Sequence, residues 1–213
     1  MRAPQFQSIT RSTGERINSL QPARTLVMHH YSLLLFVCLA MFLPEHLVAA
    51  DLSATVRSAF RVQQIVGHRG SSSDRPENTL ASTWQAIAAG ATAVEVDVRL
   101  TKDGALVLRH DETLDKTTNG RGLLKDKTLA ELQQLDAGSW IDPKFAGEKI
   151  PTLEQVLVAC RGKIDVLLDL KESGEEYANK VATAIKEHGE EARTIVGVRS
   201  VEQAQQFHRL LPK

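Results

Sequence analysis

Cysteine is scarce in this chain: Cys38 and Cys160 are its only thiols, too few for a disulfide framework or a cysteine-based zinc site. An excess of either charge is also missing. Its 26 basic residues balance 26 acidic ones, which argues against a nucleic-acid binder working by counterion release from a basic surface. There is no internal repeat and no low-complexity linker. The longest uncharged apolar run, Tyr31 to Leu43, has thirteen residues, too few to cross a hydrocarbon core about 30 Å thick as a helix. What remains is an ordinary globular composition, 42% hydrophobic and 24% charged, which excludes disordered and collagen-like classes. The 213 residues allow one large domain or two small ones.

Residues 1–50 read as an N-terminal extension with a signal peptide. Met1 to Val27 is polar and carries Arg2, Arg11, Arg16 and Arg24 against Glu15, and Met28 is an alternative start. The apolar region at 31–43 leads to the small-residue site Val48-Ala49-Ala50, the order of a secretory signal. Export to the periplasm or outside the cell is therefore expected, with no stable membrane span after cleavage. An uncleaved anchor and a buried core helix are the alternatives. A lipoprotein is rejected, because Leu35-Phe36-Val37 offers no small residue ahead of Cys38. Cys160 lies on an apolar helical face and reads as a packed structural thiol. Residues 51–64 read as a linker and 65–213 as the folded domain.

Within that domain short apolar runs alternate with helical periods. Strands are expected at Ile65–Gly67, Ala93–Leu100, Ala105–Arg109, Ile164–Leu170 and Thr194–Val198. Asn78 and Thr79 can cap a helix with Leu80, Trp84, Ile87, Ala88 and Ala91 on one face, ending near Gly90. Thr128-Leu-Ala-Glu131 and Thr152-Leu-Glu-Gln155 are capping boxes, and Glu175 to His188 is a helix with Tyr177, Val181 and Ile185 inward. The alternation implies βαβ units and a parallel sheet. Asp111 to Pro151 is an elaborated loop with one short helix.

Side chains alternate between the faces of a strand, so Val94, Val96 and Val98 share one face and Glu95, Asp97 and Arg99 the other. With helices covering the valines, the acids point into an interior. There, two close carboxylates resist ionising unless a cation intervenes, and oxygen-only ligands suit Mg²⁺ or Ca²⁺. An amphipathic edge strand with solvated acids is the competing reading. Asp165, Asp169 and Lys171 share a face of the fourth strand, where Asp169 could complete a metal site and Lys171 could contact a phosphate; a strand-end salt bridge explains them equally well. His68-Arg69 and His110 stand at strand ends, where ligands bind in parallel α/β folds. Two histidines can divide acid and base duties, and arginine grips phosphate through paired hydrogen bonds. The remaining histidines read as structural or surface residues.

His68-Arg-Gly70, Pro76-Glu-Asn-Thr79, Glu95-Val-Asp97, His110-Asp111, Thr117-Thr-Asn-Gly120, Leu135-Asp-Ala-Gly-Ser-Trp140, Ile150-Pro-Thr-Leu153 and Asp169-Leu-Lys171 occur in an order and spacing that resembles the glycerophosphodiester phosphodiesterase family. The resemblance implies an α/β TIM barrel with its site at the carboxyl ends of the strands. It also implies metal-dependent hydrolysis of glycerophosphodiesters, such as glycerophosphocholine, to glycerol 3-phosphate and an alcohol. On this likeness Glu95, Asp97 and Asp169 match the divalent-metal ligands, and His68 and His110 the acid/base pair. Arg69 and Lys171 match phosphate contacts, and Glu77 and Asn78 a motif lining the site. Asp169 departs from the glutamate the family commonly has there.

A barrel takes eight strands and about 250 residues, whereas roughly 150 residues follow Ile65. The expected architecture is therefore a barrel truncated at its C-terminal side after about five βα units. Two other functions compete with the hydrolase. One is a non-catalytic remnant or phosphate-binding fragment; the other is a sphingomyelinase-D-like phospholipase, against which the His68-Arg-Gly70 and Pro76-Glu-Asn-Thr79 pair argues.

Overall fold

A computed structural model describes residues 62–212, which form one unit. The expected signal segment and most of the linker lie outside the described residues. In chain order the elements are β1 (Val66–His68), α1 (Leu80–Ala88), β2 (Ala93–Leu100), β3 (Leu106–Leu108) and α2 (Leu129–Leu132). Then follow α3 (Leu153–Cys160), β4 (Asp165–Leu170), α4 (Glu175–His188), β5 (Thr194–Gly197) and α5 (Val201–Leu210). Among the described residues, no helix is long and apolar enough to cross a membrane.

The strands make one sheet with the parallel order β1-β2-β4-β5. The third strand departs from the parallel expectation: β3 runs antiparallel to β2, pairing Val98 with Leu108 and Leu100 with Leu106. The connection explains why. Thr101 to Ala105 is far shorter than the dozen or more residues a parallel crossover takes. It closes as a tight turn, with Gly104 at φ +78° and the Thr101 hydroxyl accepting the Ala105 N–H. Since β4 occupies one edge of β2 along Ala93–Val98, β1 and β3 must share the other edge. β1 lies along Ala93–Glu95 and β3 along Val98–Leu100. Their ends therefore meet at the level of Val96 and Asp97.

The strand alternation holds. Val94, Val96 and Val98 are fully buried with Leu168 and Leu170 of β4, beneath Leu153, Val156 and Leu157 of α3 and Tyr177, Val181 and Ile185 of α4. Each such side chain contributes about 1.5–3 kcal/mol on leaving water. Both expected capping boxes form, at Thr128 and Thr152, and Thr79 adds a third with Ser82. Helix α1 keeps part of the face read from its apolar residues, since Leu80, Ile87 and Ala91 pack against the core, but Trp84 and Ala88 are exposed. It buries Ser82, Thr83 and Ala86, while Trp84 stays 44% exposed under the Lys163 ammonium, 4.7 Å from the ring centre. Small hydroxyl residues let the helix approach the Arg69-Gly70 turn, and the Ser82 hydroxyl donates to the carbonyls of Arg69 and Thr79. Cys160 is buried, and burial pushes its thiol up to about 12, as befits a structural cysteine.

The segment from Asp111 to Pro151 builds a second small core, in which Leu114, Leu124, Leu132, Ala137 and Ile150 cluster with Val107 of β3. Three of the sequence motifs build it. Asn119 and Asp136 exchange hydrogen bonds, joining Thr117-Thr-Asn-Gly120 to the motif at 135–140. Asp136 also accepts the N–H groups of Gly138, Ser139 and Gly147, which holds its carboxyl below the usual range. Ile150-Pro-Thr-Leu153 runs beside β3, with the Leu108 N–H donating to the Pro151 carbonyl at 3.0 Å. A Cβ on Gly138 would lie 1.9 Å from the Phe145 carbonyl oxygen. Gly138→Ala is therefore expected to destabilise the chain by about 1–3 kcal/mol; unfolding in urea with an unchanged midpoint would contradict this.

Candidate active site

The site residues stand at or just beyond strand ends and on the face of β2 opposite the valines, with Glu77 and Asn78 in the turn ahead of α1. Glu95 (8% exposed), Asp97 (1%) and Arg99 (9%) line that face as the alternation predicts, which excludes solvated acids on an edge strand. Asp169 of β4 is in register with Asp97. One carboxylate oxygen from each of Glu95, Asp97 and Asp169 lies within 4.8 Å of the others. Asp165, which shares the strand face with Asp169, plays no part here; at the opposite end of β4 it pairs with Arg193 at 2.8 Å.

Cations surround the acids. The Lys171 ammonium bridges Asp97 Oδ1 at 2.7 Å and Asp169 Oδ2 at 2.6 Å, and Arg199 reaches Asp169 Oδ1 at 2.7 Å. The Arg69 guanidinium sits against both Glu77 oxygens, at 3.1 and 3.2 Å. Its Nε faces Asp97 Oδ2 at 3.5 Å, and that buried Nε–H has no hydrogen-bond acceptor. The Asn78 amide grips Asp97 twice, donating to Oδ2 at 2.7 Å and accepting the Asp97 N–H at 3.0 Å. Asn78 is thus a support for Asp97, and Glu77 a partner for Arg69.

The backbone here is held in an unfavourable conformation. Among the described residues, Arg69 and Asn78 are the non-glycine residues at positive φ, each at 56°, a region that L-residues seldom occupy away from functional sites. The surroundings hold it there: the Arg69 N–H donates to Glu95 Oε2 at 2.8 Å, and the Arg69 carbonyl accepts the Asn78 N–H at 3.0 Å. Burial, more than any other influence, pushes the Glu95 carboxyl above its ordinary range; the bond from Arg69 opposes this and Asp97 reinforces it. A desolvated carboxyl beside two others, with only oxygen donors, has the chemistry of a hard divalent-cation site. These residues fit such an ion.

The histidines approach this cluster from opposite directions along one edge of β2. His68 ends β1 opposite Glu95 and is exposed. His110 follows β3, whose return is fixed by the Arg109 N–H donating to the Asp97 carbonyl at 2.8 Å. His110 Nδ1 lies 2.7 Å from Asp111 Oδ1. That hydrogen bond is the main reason the Asp111 carboxyl sits below its usual range. With a carboxylate accepting at Nδ1, Nε2 is left to exchange protons. Sequence reasoning placed Arg99 on the correct face but gave it no role, and it missed Arg199. The signal for Arg199 was its place directly after the fifth strand.

Residues 68–203 match the sequence profile of the glycerophosphoryl diester phosphodiesterase family. The chain belongs to that family. It is 47% identical over 137 residues to the glycerophosphodiester phosphodiesterase of Caldanaerobacter subterraneus, covering 62% of this chain and 56% of that one. Among solved structures, a glycerophosphodiester phosphodiesterase from Agrobacterium tumefaciens matches with a TM-score of 0.65 at 38% identity. An Oleispira antarctica phosphodiesterase, solved with the product sn-glycerol-3-phosphate, matches with 0.65 at 36%. Each covers 71% of this chain and 64% of its own. The fold is thus the TIM-barrel type of these phosphodiesterases, of which the described sheet supplies four parallel strands and the β3 arm. The chain spans about half the length of the curated relatives it matches.

Proposed function

We propose that this chain carries the metal-binding and acid/base centre of an exported hydrolase, one that cleaves glycerophosphodiesters to glycerol 3-phosphate and an alcohol. The observation that carries this reading is the convergence of Glu95, Asp97 and Asp169 within 4.8 Å at the level where β1 and β3 deliver His68 and His110. The product bound to the Oleispira antarctica relative supports a small phosphoryl substrate. The apolar segment at 31–43 followed by Val48-Ala49-Ala50 supports export.

Glu95, Asp97 and Asp169 would hold one Mg²⁺ or Ca²⁺, which when bound stabilises charge on the phosphoryl oxygens. Arg69 and Lys171, already beside the acids, are placed to bind further phosphate oxygens. One histidine takes the proton from a substrate glycerol hydroxyl as its oxygen bonds to phosphorus. The other protonates the alcohol oxygen as its bond to phosphorus breaks. Water then opens the resulting cyclic phosphate to glycerol 3-phosphate.

The test is the pair of products formed by the full chain from glycerophosphocholine. Glycerol 3-phosphate and choline are expected. Choline phosphate and glycerol, or no product at all, would overturn the reading.

A further inference from the structure

Arg99 is a buried cation on the site face of β2 whose hydrogen bonds go to none of the three clustered acids. Its guanidinium reaches the backbone of His110. Nε donates to the His110 carbonyl oxygen at 3.0 Å and Nη2 donates to the same oxygen at 2.8 Å. The remaining arm, Nη1, donates to Glu172 Oε1 at 3.1 Å. One side chain therefore joins β2, the segment after β3 and the segment after β4.

We infer that Arg99 is a positioning residue that fixes His110 relative to the acidic cluster. This inference rests on the reading of His110 as a proton carrier. His110 stands just beyond the short β3, on a chain that turns away from the sheet at once, so few ladder bonds hold it. Two ties replace them. The Arg109 N–H is bound to the Asp97 carbonyl, and the His110 carbonyl lies in the fork of Arg99. Both ties begin on β2, at Asp97 and two residues beyond it. The distance from a metal-binding carboxylate to the proton-carrying ring is thus set by one rigid stretch of strand. Arginine suits this task because its planar fork converges two bonds on one acceptor oxygen, whereas lysine offers a single point donor. Glu172 holds the third arm, so the plane of the fork does not rotate.

Reactivity depends steeply on such placement: an error of about 1 Å can cost on the order of 100-fold in rate. Arg99→Gln is expected to lower kcat by about that factor while changing KM by less than about threefold, because the Arg99 hydrogen bonds go to His110 and Glu172 and not to Arg69 or Lys171. Arg99→Lys, with one bond restored, should lie between the two. The discriminating measurement is the double variant. Residues that act through one another are not additive, so in a His110→Ala background Arg99→Gln should cost less than about twofold. An equal cost in both backgrounds would overturn the inference, as would an unchanged kcat for Arg99→Gln. A second measurement needs no turnover. In the full chain labelled at histidine, the His110 ring signals should shift or broaden in Arg99→Gln and Arg99→Lys, while those of His68, His188 and His208 stay in place. Unmoved His110 signals would equally overturn it. If the unaltered chain releases no glycerol 3-phosphate, the hydrolase reading alone fails, and the ring signals still decide whether Arg99 holds His110.

Discussion

Replacing His110 with alanine is expected to slow glycerol 3-phosphate release by about 10²–10⁴-fold, the range a positioned acid or base contributes, with little change in thermal midpoint. The two halves of this expectation have separate physical causes. The imidazole is about a third exposed and its ring contacts Asp111 at 2.7 Å. Removing it leaves no buried group without a partner, and exposed ion pairs contribute little to stability. The backbone of residue 110 would remain in place, because the hydrogen bonds from Arg99 go to its carbonyl oxygen and not to the ring. Turnover close to that of the unaltered chain would remove His110 from the acid/base pair. A large fall in thermal midpoint would make it a structural residue instead.

Asp97 behaves in the opposite way, since its loss should damage folding and turnover together. The side chain is 1% exposed and is held by Lys171 at 2.7 Å and by Asn78 at 2.7 Å, with Arg69 at 3.5 Å. Asp97→Ala leaves the largely buried Lys171 ammonium with Asp169 alone and strips the Asn78 amide of its acceptor. Breaking a buried pair by removing one partner costs about 3–5 kcal/mol. For a chain of this size that corresponds to a fall of roughly 10 °C in thermal midpoint. Asp97→Asn separates the two effects. It preserves volume and an acceptor for Asn78, so it should retain more of the stability, yet it removes a metal-binding charge and should lose turnover as fully as the alanine variant. Scanning calorimetry on both variants beside a product assay checks this. An Asp97→Ala chain as stable as the original would show that Lys171 does not depend on Asp97.

Strand periodicity was the most informative signal in the sequence. Alternation from Val94 to Arg99 gave the buried and site faces of β2 correctly, because a central strand covered by helices leaves its side chains no other arrangement. The capping boxes at Thr128 and Thr152 were legible for the same reason: their chemistry is local. What escaped was set by contacts distant in sequence. The direction of β3 was written in the brevity of Lys102-Asp-Gly104, a hairpin signal outweighed by the wider strand-helix alternation. The inward face of α1 was only partly legible: Leu80, Ile87 and Ala91 pack against the core, but Ser82 and Thr83 are buried through hydrogen bonds to the Arg69 and Thr79 carbonyls. The motifs Thr117-Thr-Asn-Gly120 and Leu135-Asp-Ala-Gly-Ser-Trp140 carry the resemblance as strongly as the site motifs do. Their side chains nevertheless fasten the loop that follows His110, which spacing alone does not reveal.

The central claim is that Glu95, Asp97 and Asp169 form a divalent-metal centre on which hydrolysis depends. It is tested most directly by stripping the full chain with a chelator and following glycerol 3-phosphate release before and after returning Mg²⁺ or Ca²⁺. The expected result is loss of turnover on stripping and recovery with one of these ions, with no recovery in Asp97→Asn. Turnover that persists undiminished in the stripped chain would contradict the claim.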